Sequence, residues 1–129
     1  MSNAGHLWNI TITIVGGIAT FDPPPGKQGY QFAKNARLGI IAFTLASDDY
    51  AFIGCTYVPV KGDMPGVEAR WGHAVRNTRE LVVTFGYPEG VIHDGHLRLE
   101  YMHRTSKHTD VIDPQVGNDG QTGGFLPNP

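Results

Sequence analysis

The chain has 129 residues, enough for one domain around one hydrophobic core and too few for two. With 40% hydrophobic and 17% charged residues it is apolar enough to fold, and a net charge of -2 gives no field that would draw in nucleic acid or an anionic membrane. Its single cysteine, Cys55, excludes an internal disulfide, a four-thiolate zinc site and a ferredoxin-type cluster.

Seventeen glycines and nine prolines argue against long helices, because each costs a helix interior about 1 to 3 kcal/mol relative to alanine. Along residues 8–14, Trp8, Ile10, Ile12 and Ile14 alternate with Asn9, Thr11 and Thr13, the period-two pattern of a half-buried strand. Gly16-Gly17 is a turn signal, so residues 18–21 read as the returning strand of a hairpin. Pro23, Pro24 and Pro25 have no amide hydrogen to donate, which makes residues 22–26 a rigid exposed connection. Residues 37–45 and 50–58 are dense apolar runs separated by Ala46, Ser47, Asp48 and Asp49, and they are expected to form a central hairpin buried on both faces. Between 59 and 78 the pattern weakens, leaving one short strand around 67–71 in a long irregular connection. Residues 81–85 form a compact strand that ends at the Gly86-Tyr87-Pro88-Glu89-Gly90 breaker. In the late strand Leu97, Leu99 and Tyr101 share one face, and His96, Arg98, Glu100 and Met102 the other, so its mostly charged side is expected to meet solvent. Val111-Ile112 closes the sheet, and residues 117–129, rich in Gly, Asn and Pro, read as an extended tail.

Seven to nine short strands with few helical stretches define an all-β chain, expected as a single antiparallel β-sandwich over 1–129 with a small closed barrel as the alternative. Three motifs occur in a fixed order: Phe21-Asp22-Pro23 at the end of the first hairpin, the strand Tyr50-Ala51-Phe52-Ile53-Gly54, and Asp113-Pro114-Gln115-Val116-Gly117-Asn118 near the close. In that order they resemble the DP-EP family of small bacterial proteins. The resemblance implies a single small β-sandwich and carries no established activity. Where the family name calls for Glu-Pro, Pro88-Glu89 holds the two residues reversed.

Four of the six histidines, His93, His96, His103 and His108, fall close together, the others being His6 and His73. His93-Asp94-Gly95-His96 is read as a turn carrying two imidazoles and a carboxylate, a candidate site for a divalent transition metal, with His103 or His108 as possible third ligands. The alternative is a set of ordinary surface histidines. Asp22, Asp113 and Asp119 can share one pole of a sandwich, where they would suit calcium or general acid work, or simply initiate turns. The loop with Glu68, Arg70, Trp71, His73 and Arg76 combines an acid, two guanidiniums, an indole and an imidazole. An exposed Trp71 there could stack on a sugar ring or anchor a protein interface, whereas a buried one would plug the core. Arg98, Glu100 and Arg104 read as a solvated face, and Cys55 as a small buried hydrophobe. Asn9-Ile10-Thr11 matches the glycosylation tripeptide but sits inside a strand. No GxxxxGK[ST], GxSxG or HExxH motif occurs.

These features lead to a non-enzymatic binding or self-association module that contacts protein through the Trp71 loop. The alternatives are a histidine-based metal protein and a carbohydrate-binding module. Nothing resembling a signal peptide and one free thiol give a cytoplasmic expectation.

Overall fold

A computed structural model describes residues 7–34, 36–61, 70–87 and 93–120. Ten strands and no helix occur among them, so none of these residues belongs to a helix long and apolar enough to cross a membrane. The strands are β1 (Leu7–Val15), β2 (Ile18–Asp22), β3 (Tyr30–Ala33), β4 (Leu38–Leu45), β5 (Tyr50–Lys61), β6 (Arg70–Asn77), β7 (Glu80–Gly86), β8 (Asp94–His103), β9 (Thr109–Ile112) and β10 (Gln115–Gly120). They form two sheets, ordered β2-β1-β4-β7-β6 and β3-β10-β8-β5, with β9 pairing β8. Neither closes into a barrel, and the chain is an all-β sandwich-like fold.

The amino-terminal hairpin follows directly from its pattern. Trp8, Ile10 and Ile12 are buried and the residues between them are exposed. Gly16 and Gly17 have φ of 60° and 80°, the left-handed conformation that a two-residue hairpin needs and that glycine adopts without a Cβ clash. The Val15↔Ile18 register then fixes β2 beside β1.

Pairing departs from the expected arrangement in three places. First, residues 37–45 and 50–58 do not form a hairpin. Strand β4 lies in the first sheet between β1 and β7, whereas β5 lies in the second beside β8, and residues 46–49 carry the chain across. Each strand buries one face only, as the alternation in β4 records. Second, both sheets are mixed. Strand β1 runs parallel to β4, and β10 runs parallel to β3. The crossover that parallel neighbours require is supplied by β2, the proline-rich connection and β3, whose passage through the second sheet returns the chain to β4. Third, Gly117–Gly120, expected in the tail, belong to β10, and residues 121–129 lie outside the described residues.

The core lies between the sheets. Ile10, Ile12, Ile41, Phe43, Leu81, Val83 and Phe85 come from the first, and Tyr30, Phe32, Tyr57, Leu97, Leu99 and Val116 from the second. Burying each such side chain is worth roughly 1.5 to 3 kcal/mol before chain entropy is subtracted. Two ring donors inside find backbone acceptors: the Trp8 indole donates to the Gln31 carbonyl at 3.2 Å, joining the two sheets, and the Tyr30 hydroxyl donates to the Pro23 carbonyl at 2.6 Å. Burial, with Asp22 nearby, pushes the Tyr30 hydroxyl above its ordinary range.

Candidate functional site

Three places hold the chemistry-bearing side chains. The first is β6, an edge strand of eight residues whose hairpin partner is β7. The turn between them is held by Asn77, which accepts from the Arg79 amide and donates to Glu80, both at 2.9 Å. In the register Trp71 lies opposite Phe85, His73 opposite Val83 and Val75 opposite Leu81. The β7 residues of these pairs are buried, yet Trp71 is 37% and Val75 44% exposed. Strand β6 therefore extends past the cover of the second sheet, and the β5 ring that reaches it is Tyr57, 6.3 Å from Trp71. Trp71 and His73 stack within 14° of parallel at 5.8 Å. Arg70 and Arg76 are both exposed, and Arg76 sits at a bulge in the register between Val75 and Asn77. Of the strand expected around 67–71, Arg70 and Trp71 lie in β6, which runs on to Asn77, and residues 67–69 lie outside the described residues. Glu68 lies outside the described residues.

The second is the His93-Asp94-Gly95-His96 segment. Asp94 and His96 are in β8 itself and not in a turn. Gly95 is required there by close approach, since a Cβ would stand 2.6 Å from the Tyr57 ring. Alternation sends His93 inward, fully buried, and leaves Asp94 and His96 on the opposite, half-buried side. The His93 amide donates to Asn118 Oδ1 at 2.6 Å, the Asn118 amide returns a bond to the His93 carbonyl at 3.2 Å, and the ring lies 5.6 Å from Tyr87. His93 thus acts as a core residue that ties β10 to the start of β8. Gln115 Nε2 donates to both Asp94 carboxylate oxygens at 2.9 Å. The inward and outward pair cannot close on one ion, and no group of three His, Cys, Asp or Glu side chains fit to hold a metal occurs among the described residues. Asp22 ends β2 in one sheet, Asp113 stands between β9 and β10 of the other, and the side chain of Asp119 lies outside the description.

The third was not assembled from the sequence. A cavity of about 310 Å³ opens where the β1–β2 hairpin, the start of β5 and the β8–β9 hairpin meet, lined by Tyr50, Tyr101, His103, His108, Asp110 and Ile14 among others. The hairpin is tightly built. The His103 amide donates to the His108 carbonyl at 2.8 Å, the Lys107 amide to the His103 carbonyl at 2.8 Å, and Lys107 takes a φ of 66°. His103 Nδ1 accepts the Ser106 amide at 3.1 Å, which leaves the neutral ring's proton on Nε2. Tyr101 is held above the ordinary phenol range by burial first, then by Asp110 and Tyr50. The available signal was the shared parity of Tyr101 and His103. That His108 and Tyr50 would join them depended on which strands became neighbours.

Cys55 is buried, and burial with Glu100 nearby pushes its thiol up to about 12, so it is no nucleophile at neutral pH. Among the described residues, the fold and these sites define an all-β protein in which β6 is an edge strand with an exposed Trp and an aromatic-walled cavity lies between two hairpins. No family model and no curated protein matches the chain.

Proposed function

We propose that this chain is a non-enzymatic β-sandwich binding module that takes up an extended segment of a partner protein along β6. The observation that carries the reading is an eight-residue edge strand whose inner side offers Trp71 and Val75 to solvent. An edge strand leaves half its backbone amides and carbonyls without ladder partners, and it is a ready template for strand addition. An exposed Trp beside Arg is also the composition of an interface anchor.

Charge favours an acidic segment over a second copy. Strand β6 carries Arg70 and Arg76 and no acid. A two-fold antiparallel pairing centred on His73 would bring Arg70 of one copy near Arg76 of the other, and like charges brought together across strands destabilise a pair by roughly 0.2 to 1 kcal/mol. Kinship with the DP-EP proteins belongs to the same proposal and rests on the order of the Asp-Pro motifs. So does a cytoplasmic location, for which the support is the one buried thiol.

A fluorescein-labelled decapeptide of alternating Glu and Val tests the reading by anisotropy, with amide exchange read along β6. Saturable binding that slows exchange in residues 70–77, and that weakens about tenfold in Trp71→Ala, supports it. Dimerisation by light scattering that disappears in Trp71→Ala would replace the partner with a second copy. Retention on a glycan array with no peptide binding would replace it with a carbohydrate.

A further inference from the structure

We propose that the cavity between the β1–β2 and β8–β9 hairpins binds a small quaternary or methylated ammonium ion. The inference does not rest on the reading of β6. Tyr50 stands at the corner of two near-perpendicular ring contacts, with Tyr101 at 5.8 Å and 70° and with His103 at 5.1 Å and 82°. Rings set at right angles form the walls of a box, and an aromatic face presents negative charge to a cation placed over it. Asp110 adds one carboxylate, and neither Lys nor Arg is among the residues lining the cavity. The lining itself therefore favours a cation over an anion, with Arg104 and Lys107 of the same turn outside it.

The apolar part of the lining decides which cation. Ile14 and the flat sides of the rings cannot replace the water that a bare ammonium or metal ion would lose, whereas methyl groups on nitrogen spread the charge and bury favourably against carbon. His103 is poorly placed as a metal ligand through Nδ1, because that nitrogen already accepts the Ser106 amide. A volume of about 310 Å³ lies at the small end of ligand cavities and suits a head group with a short substituent.

Choline chloride is the probe, and 3,3-dimethyl-1-butanol, its uncharged isostere, the control, both read by titration calorimetry and backbone chemical shifts. Choline is expected to saturate with Kd of about 0.1 to 10 mM and the alcohol to bind at least ~10-fold more weakly, with shifts clustered in β9 and the 103–108 turn. Tyr50→Ala should weaken choline by about tenfold or more, and Asp110→Asn by about three- to tenfold. Asp110→Asn retains the Oδ1 that accepts the Val111 amide at 2.9 Å, so its local turn is preserved. Equal binding of the two probes, unchanged choline affinity in folded Asp110→Asn, or no saturation by ~50 mM choline overturns the proposal.

Discussion

Strands β7 and β6 are hairpin partners with the same alternation, yet one is core and the other surface. Leu81, Val83 and Phe85 are at most 1% exposed, while Val75, His73 and Trp71, directly opposite them, face solvent. The backbone and the pleat are common to both strands. What differs is the facing layer: the second sheet ends at β5, and Tyr57, 5.2 Å from Phe85 and 6.3 Å from Trp71, is its last ring over this edge. Burial here is a property of what lies across the gap, and the residue left beyond the cover is the one free to contact a partner.

The largest effect should come from the covered strand. Phe85→Ala is expected to cost about 3 to 5 kcal/mol by guanidinium denaturation, because the cavity cannot collapse between two ladders. Gly95→Ala tests the cover itself, since the new methyl would push the Tyr57 ring off its neighbours. A loss of about 1 to 3 kcal/mol is expected, with a change in Trp71 fluorescence. Raising the pH probes the same β5 layer through Cys55. Its folded pKa, about 12, lies above the ordinary 9.0, so both states are protonated below pH 9 and the full contribution is present there. Between 9 and 12 only the unfolded thiol ionises, and stability falls as pH rises. Tyr30 and Tyr101, also raised by burial, act in the same direction at higher pH. Denaturation midpoints should fall from pH 8 to pH 10.5, less steeply in Cys55→Ala. The smallest effect is expected on the uncovered strand: Val75→Thr should shift stability by less than about 0.5 kcal/mol. A cost for Val75→Thr comparable to that of Phe85→Ala would mean that β6 is covered after all, and the contrast would fail.

Strands β1, β2 and β8 were legible because alternation and the Gly16-Gly17 turn are local signals, and β7 and β9 because each carries a short apolar run. Strand β3 was not, because four residues, Tyr30 to Ala33, are too short for their alternation to stand out from the surrounding loop, and the burial of Gln31 is set by its tertiary neighbours. The β4–β5 hairpin failed for a different reason. Two apolar runs joined by four polar residues fit a hairpin and a crossing between sheets equally well. For Trp71 the sequence left an exposed and a buried reading open, and its 37% exposure depends on where the second sheet stops. The His93 and His96 pair was misread because residues three apart in a strand lie on opposite faces, and treating the segment as a turn hid that parity.

The amino-acid sequence alone determined that the chain is all-β and which way most side chains face, because pleat and turn geometry act over two to four neighbouring residues. Tertiary structure decided strand partners, parallel direction, the uncovered edge at β6 and the meeting of Tyr50, Tyr101, His103, His108 and Asp110. Each of those depends on contacts between segments far apart along the chain, and a pleat carries the same inward and outward alternation whichever strand lies beside it.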